Sequence, residues 1–242
     1  MRFSVLLATV FLIFPAQALV TRADRDDSEY LELATRYPAA VALAPNVEGV
    51  LITPRWVLTS AKGAMLLQGA KARPPLQLGG KANAIEATFI HPKWNQGSEN
   101  DIAILFLRDP VAELTPAPAS RDRDEIDETV LIVGHGETGR LGETARRTDG
   151  RKRAAINTVD RLDDKTLRVR LKPVLEGSDL QGGVAASENG APLILERLGQ
   201  TSVIGVFSAY EGDWQVFTRV SSYADWIEET MFREGAKAVK PR

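Results

Sequence analysis

Short apolar runs rich in β-branched residues, each ended by turn residues, are the feature of this sequence that most limits its fold. In the first half, the runs with this pattern cover residues 39–43, 49–53, 56–60, 87–90 and 102–107. Turn-forming pairs such as Pro45-Asn46, Gly79-Gly80 and Asp109-Pro110 separate them. Short strands at this spacing are typical of an all-β barrel or sandwich.

The second half repeats the pattern after a different kind of segment. Residues 109–128 contain three prolines and then a charge-dense stretch, which indicates a linker between two halves. Apolar runs resume at residues 129–133, 166–171, 192–195, 203–207 and 214–218. Residues 222–232 carry Tyr223, Trp226, Ile227 and Phe232 at helical spacing, which predicts a terminal helix.

The first 18 residues have the pattern of a secretory signal peptide. Arg2 precedes an apolar stretch over residues 3–14, and small residues surround Ala18, after which we predict cleavage. An uncleaved membrane anchor is the alternative, but the stretch is shorter than the roughly 20 residues of a spanning helix. We therefore predict a mature domain over residues 19–242 that is secreted or periplasmic and leaves the membrane after cleavage.

The composition excludes several classes of protein. The chain has 30 basic and 32 acidic side chains and a formal net charge of −2, so it offers no electrostatic basis for binding nucleic acid. It has no cysteine, which excludes disulfides, thiolate nucleophiles and zinc fingers. Its two histidines, His91 and His135, lie in turn segments, where we interpret them as structural residues. We expect no cofactor and no bound metal.

Five motifs, in order along the chain, carry a resemblance to a known family. The three main ones are GVLITPRWVLTSA at residues 49–61, HPKW to NDIAIL over residues 91–105, and SENGAPL at residues 187–193. VGHG at residues 133–136, and VFTRV with YADWI over residues 216–227, support them. Together they resemble the trypsin or chymotrypsin-like serine proteases from about residue 37 to residue 227.

The resemblance implies an all-β fold of two six-stranded antiparallel β-barrels, with a cleft between them and a C-terminal α-helix. It places barrel one at about residues 37–115, the linker at 109–128, barrel two at about 129–220 and the helix at 222–232. It also implies hydrolysis of peptide bonds by a serine nucleophile, a histidine general base and an aspartate that orients the histidine.

Carried over residue by residue, this catalytic set is retained at one of its three positions. Asp101 matches the acid, Lys62 matches the base and Asn189, three residues before Pro192, matches the nucleophile. A protonated lysine cannot accept a proton, and a carboxamide has no hydroxyl with which to attack a carbonyl. We predict instead an ion pair between the Lys62 ammonium and the Asp101 carboxylate.

The same resemblance assigns the rest of the cleft. Ser187, Glu188 and Gly190 match the oxyanion site and its surroundings, with Ser187 in place of the family's glycine. Gly183 and Ser208 match the specificity pocket, which would favour small or apolar groups because no charge stands at Gly183. No isoleucine-valine-glycine-glycine start follows Ala18, so activation by insertion of a new amino terminus is not expected.

These replacements predict a catalytically inactive trypsin-like protein that binds a protein or peptide partner in the inter-barrel cleft. The alternative is an active serine endopeptidase in which Lys62 forms a dyad with Ser60 or Ser187. Such a dyad needs a neutral lysine, which the neighbouring Asp101 carboxylate disfavours. A structural module without a cleft function is a third possibility. The sequence predicts neither the identity of the partner nor the oligomeric state.

Overall fold

The computed structural model describes residues 19–70, 75–142, 146–185 and 188–238 of the 242-residue chain. The predicted signal peptide, residues 1–18, and Ser187 of the predicted oxyanion site lie outside these described residues. All other predicted site residues are within them.

The strands of the described residues are numbered in chain order. They are β1 (Leu19–Thr21), β2 (Ala40–Ala44), β3 (Val47–Thr53), β4 (Trp56–Thr59), β5 (Leu76–Leu78), β6 (Lys81–Asn83), β7 (Ile85–Ile90), β8 (Ala103–Leu107), β9 (Thr129–Gly134), β10 (Glu137–Arg140), β11 (Arg146–Thr148), β12 (Arg153–Thr158), β13 (Arg161–Leu162), β14 (Thr166–Val169), β15 (Gly182–Gly183), β16 (Pro192–Arg197), β17 (Gln200–Glu211) and β18 (Trp214–Arg219). The helices are α1 (Asp27–Ala34), α2 (Ala61–Gly69) and α3 (Ala224–Ala238), and a 3₁₀ turn over Val220–Tyr223 leads into α3.

The first half of the chain forms an antiparallel sheet of five strands in the order β2-β3-β4-β8-β7. All five residues of β8, AILFL, are apolar and buried, so both faces of this strand are covered. The strands β5 and β6 form a separate hairpin whose Leu76 and Leu78 pack on the same core. Asp101 lies just before β8, so the packing of this sheet fixes its place.

The second half forms an antiparallel sheet of seven strands in the order β12-β9-β16-β17-β18-β14-β13. Its core includes Leu193, Ile204 and Phe217, which are fully buried. Register shifts between Leu193 and Ile194, and between Phe207 and Ala209, mark bulges that bend these long strands. The all-β fold class is confirmed, with the strands of the described residues divided into a sheet of five, a hairpin, a sheet of seven and a smaller sheet of four.

The linker segment packs against both sheets. The Ala117 amide donates to the Leu51 carbonyl at 2.9 Å, and the Ser120 amide donates to the Val203 carbonyl at 2.9 Å. Farther along, the buried Glu125 carboxylate pairs with Arg219 at the end of β18. The connection between the two halves is therefore held to the fold by main-chain and side-chain bonds.

The predicted C-terminal helix is confirmed and runs on beyond residue 232, as α3 (Ala224–Ala238). The Tyr223 and Ile227 side chains join the core of the first half, which anchors the chain end to the opposite barrel. None of the helices within the described residues is both long and apolar enough to cross a membrane.

A smaller sheet of four short strands brings the first described residues next to the predicted specificity pocket. It has the order β11-β10-β1-β15, with β1 parallel to β10 and antiparallel to β15. Leu19 is 1% exposed and Val20 lies opposite Gly183, so the first described residues pack against the segment predicted to form the specificity pocket.

Candidate functional site

Asp101, the predicted acid, is buried where the two halves meet. Its Oδ1 accepts a hydrogen bond from the Lys62 amide at 2.9 Å, and its Oδ2 accepts one from the Ser208 hydroxyl at 2.7 Å. Burial raises the pKa of Asp101, while both hydrogen bonds and the Lys62 charge act in the opposite direction. Because Ser208 belongs to β17 and Lys62 to α2, this one carboxylate links the two halves.

Lys62 contacts Asp101 through its main chain, so the predicted ion pair is wrong. Lys62 lies in the first turn of α2, its side chain is exposed, and no ion pair joins it to Asp101 within the described residues. The first amides of a helix have no carbonyl partner inside the helix and carry a partial positive charge. The carboxylate therefore binds the helix terminus, while the ammonium points to solvent.

Ser60, the other half of the alternative dyad, is committed to helix capping. Its Oγ accepts a hydrogen bond from the Gly63 amide at 3.0 Å, and the residue is fully buried. This is the usual role of a serine that precedes a helix. Among the described residues, no hydrogen bond joins the Ser60 hydroxyl to the Lys62 ammonium.

Asn189, at the nucleophile position, ties the second half to the first. Its Nδ2 donates to the Asn46 carbonyl at 3.0 Å, and its amide donates to the same oxygen at 3.2 Å. Its own carbonyl accepts from the Glu48 amide at 2.9 Å. The side chain is 6% exposed, so it acts as part of the contact between the halves.

Gly190 allows the loop that carries Asn189 to approach β3 and β4. Its φ is +83°, and a Cβ on it would lie 2.6 Å from the Glu48 carbonyl oxygen and 2.8 Å from the Ser60 amide nitrogen. Any side chain would collide with main-chain atoms as well as strain the backbone. The loop therefore lies directly beside the start of α2, close to Lys62.

Glu188 is fully buried beside Asn189 and accepts hydrogen bonds from two main-chain amides. The Ala185 amide donates at 3.1 Å and the Gly136 amide donates at 3.2 Å. Burial, and to a lesser extent the Glu48 charge, raises the pKa of Glu188 to about 8. At neutral pH this group is therefore largely the neutral acid.

Glu48 and His135 complete this buried cluster, and the sequence analysis missed Glu48. Glu48 is 2% exposed on β3, and its carboxylate accepts from the His135 amide at 3.1 Å and lies 2.8 Å from the His135 Nδ1. A lone glutamate inside the apolar run of residues 47–53 was the signal that could have drawn attention to it. The pair forms a second polar link between the two halves.

The predicted specificity pocket is filled from within by Gln215. A Cβ on Gly183 would overlap the Gln215 amide, and the Gln215 Oε1 accepts a hydrogen bond from the Val184 amide at 2.7 Å. The Tyr210 hydroxyl donates to the Val184 carbonyl from the neighbouring strand. Gln215 is 2% exposed, so its side chain takes the space in front of Gly183. The hydroxyl of Ser208 is bound to Asp101.

The two β halves, with an acidic residue and a helix terminus at their junction, define the scaffold of a trypsin-like protease. The family model described as Trypsin matches residues 33–227. The chain therefore belongs to the trypsin family.

Curated relatives agree with this assignment. The chain is 31% identical over 180 residues to the CLIP domain-containing serine protease B10 of Anopheles gambiae, a match that covers 67% of this chain and 47% of the relative. It is 29% identical over 161 residues to chymotrypsin-C of Mus musculus, covering 60% of each. These matches span about half to three fifths of the relatives' own length.

Proposed function

We propose that this chain is an exported, catalytically inactive member of the trypsin family whose inter-barrel cleft binds a protein or peptide partner. The observation that carries the proposal is the hydrogen bond that the Asn189 carboxamide donates to the Asn46 carbonyl of the other half. A carboxamide has no proton that a general base could remove to make a nucleophile. This position therefore serves cohesion between the barrels.

The filled pocket supports the same proposal. Peptide hydrolysis requires that the scissile bond of the substrate is held next to the nucleophile. A substrate side chain bound in the specificity pocket provides that positioning. Here Gln215 occupies the space in front of Gly183 and is itself hydrogen-bonded to Val184. A partner would therefore bind along the cleft without inserting a side chain at this point.

The geometry gives no support to an endopeptidase that uses a Lys62–Ser60 dyad, and Ser187, the other serine of that alternative, lies outside the described residues. The Lys62 ammonium is exposed and the Ser60 hydroxyl is buried as a helix cap. The exposed lysine instead offers a positive charge at the cleft, suited to an acidic side chain of a partner.

The proposal includes export of the chain and the positions of its domain boundaries. Cleavage after Ala18 would release a mature domain of residues 19–242, with barrel one at about 37–115, the linker at 109–128, barrel two at about 129–220 and the helix α3 (Ala224–Ala238) after them. In support, Leu19 and Val20, which directly follow Ala18, are buried in the fold, so the folded domain includes the residues next to the predicted cleavage site.

A serine-directed fluorophosphonate tests the loss of activity. The wild-type chain is expected to remain unmodified in intact-mass analysis, whereas an active trypsin-family enzyme treated in parallel is labelled stoichiometrically. In the triple variant Lys62→His, Asn189→Ser, Gln215→Gly, the expected result is partial labelling, because a base, a nucleophile and an open pocket are restored together. A stoichiometric adduct on the wild type would overturn the proposal.

The binding half of the proposal is tested with a mixture of peptides from digested proteins. Peptides retained by the immobilised wild-type chain are expected to be recovered uncut and to be lost from a Lys62→Glu variant, whose charge at the cleft is reversed. Lys93→Glu, a reversal at another exposed lysine, is the matched control. New peptide termini, or equal retention by Lys62→Glu and the wild type, would contradict the proposal.

A further inference from the structure

The outer face of the second sheet carries a basic and aromatic surface. Arg161 on β13 lies opposite Arg168 on β14, and Arg168 lies opposite Val216 on β18. Because side chains alternate along a strand, Arg170 shares the face of Arg168, and Trp214 shares the face of Val216. These four residues, Arg161, Arg168, Arg170 and Trp214, are called the Arg–Trp face below.

Two of these arginines stack on one indole ring. The Arg161 Cζ lies 4.4 Å from the Trp214 ring centroid, and the Arg170 Cζ lies 5.1 Å from it. Stacking holds a guanidinium plane against the ring and leaves the N–H groups at its edge free to bond elsewhere. Both distances together limit the separation of the two Cζ atoms to about 10 Å at most.

The charges on this face are unequally compensated. Arg168 pairs with Asp163 at 2.7 Å and with Glu211 at 3.2 Å, and Lys172 pairs with Asp160 at 2.8 Å. Among the residues that the structure describes, no carboxylate pairs with Arg161 or Arg170, although both side chains are exposed. Two like charges held close together on one ring repel each other, and a bound anion would relieve that repulsion.

The spacing and the surroundings indicate the kind of anion. Side chains at alternate positions of an extended peptide lie on one side about 6.6 Å apart, which is within reach of two guanidinium groups held this close. The neighbouring carboxylates of Asp163 and Glu211 would repel a dense polyanion. Single carboxylates separated by neutral residues fit between these charges.

We propose that the Arg–Trp face is a docking site for an extended acidic peptide segment of a partner protein, with carboxylates at alternate positions bound by Arg161 and Arg170. This site lies on the outside of the barrel and does not rest on the proposed function of the cleft. The cleft variants Lys62→Glu and Asn189→Ser therefore leave it intact.

The test uses the full chain and a fluorescent peptide in which glutamate alternates with threonine, followed by anisotropy at low ionic strength. Each of Arg161→Gln and Arg170→Gln is expected to weaken binding about tenfold, the scale of one charge-assisted bidentate contact. Trp214→Leu is expected to weaken binding too, because it removes the platform that orients both guanidinium groups. Arg108→Gln, which removes the same charge at an exposed arginine elsewhere, is expected to leave the affinity within twofold.

Other ligands separate the proposed occupant from its competitors. A peptide with the same glutamates gathered in one block, a peptide with lysine in place of glutamate, and a sulfated oligosaccharide are all expected to bind more weakly. Equal affinity of the alternating peptide for the wild type and the Arg161→Gln, Arg170→Gln double variant would overturn the proposal. An oligosaccharide that binds at least as tightly as the peptide would overturn the choice of a peptide.

Discussion

At the scale of single residues, the junction of the two halves contains buried carboxyl groups. They differ in the hydrogen bonds and charges around them, and therefore in how readily they ionise. Asp101 receives the Lys62 amide and the Ser208 hydroxyl, whereas Glu188 receives two amides and has the Glu48 carboxyl as a neighbour. Hydrogen bonds to the charged form favour ionisation, and burial next to a like charge opposes it. Glu188 therefore holds its proton to a much higher pH than an ordinary glutamate.

This difference makes the stability of the protein depend on Glu188 between about pH 4.5 and pH 8. The pKa of Glu188 is about 8 in the folded chain against the ordinary glutamate value of 4.5, so the folded state binds the proton more tightly than the unfolded state. The stability that this group contributes is fully present below pH 4.5 and is lost as the pH rises towards 8. Glu48, His135, Arg153 and Tyr210 are the titratable or charged groups around it.

In Glu188→Gln, the free energy of unfolding is expected to fall less between pH 5 and pH 8 than in the wild type, by up to about 1.4 kcal/mol per pH unit. Urea titrations at several pH values measure this slope, which is independent of any baseline loss from replacing an acceptor oxygen. Glu176→Gln, at an exposed glutamate, is expected to keep the wild-type slope. A Glu188→Gln slope equal to the wild-type slope would show that this group ionises normally.

At the scale of elements, aromatic contacts connect the turn before β8 to the C-terminal helix. The His91 ring packs edge-on against Tyr223 at 5.1 Å and against Trp226 at 5.0 Å, and the Tyr223 hydroxyl donates to the Asn100 Oδ1 at 3.2 Å. These contacts agree with the interpretation of His91 as a structural turn residue. They also explain why the C-terminal end of the chain packs against the first half of the molecule.

Protonation of His91 is expected to weaken this contact. Burial first, and then the Lys93 and Lys165 charges, lower the pKa of His91 below its usual 6.5. The unfolded chain therefore binds the proton more readily, and stability is lost as the pH falls from 6.5 towards the folded pKa. His91→Phe keeps an aromatic ring against Tyr223 and Trp226 and removes the titration.

The expected result is that the melting temperature changes more favourably on going from pH 7 to pH 5 in His91→Phe than in the wild type, where acidification stabilises through Glu188 and destabilises through His91. Calorimetry at the two pH values measures the melting temperature of each protein. Since His135 is the other histidine of the chain, His135→Phe is the comparison variant. The interpretation fails if acidification changes the melting temperature of His91→Phe and of the wild type by the same amount.

At the scale of the whole molecule, one buried ion pair fixes the linker onto the second sheet. The Glu125 carboxylate binds Arg219 at 2.5 Å and 3.0 Å, and the Arg219 guanidinium also donates to the Arg123 carbonyl at 2.8 Å. Glu125 is fully buried and the Arg219 side chain is 4% exposed. The chain contains no cysteine, so segments that lie far apart in the sequence are held together by contacts of this kind and not by disulfides.

Glu125→Ala is expected to lower the free energy of unfolding by about 3–5 kcal/mol, because it leaves the Arg219 charge buried and unpaired. Equilibrium denaturation measures the loss. The double variant Glu125→Leu, Arg219→Met is expected to recover much of it, since burying two apolar groups carries no unpaired charge. If Glu125→Ala is no more damaging than Glu176→Ala at the exposed site, the pair does not hold the linker.

The sequence by itself determined the properties that depend on local patterns. Alternation of short apolar runs and turns predicted the β architecture, helical spacing predicted α3, and the ordered motifs predicted the family. The motifs also indicated that Lys62 and Asn189 stand at positions where the family's chemistry needs other groups. These conclusions need only the order of residues, because strands, helices and motifs are short-range features.

Only the tertiary structure decided which residues that lie far apart in the sequence contact each other at the cleft. Gln215 fills the space before Gly183, Asn189 bonds to Asn46, and Asp101 receives the Lys62 amide where the sequence predicted the ammonium. Each contact joins residues far apart in the chain, and its geometry depends on sheet register and on the direction in which a helix begins. A one-dimensional pattern specifies which groups are available, and packing in three dimensions decides which of them meet.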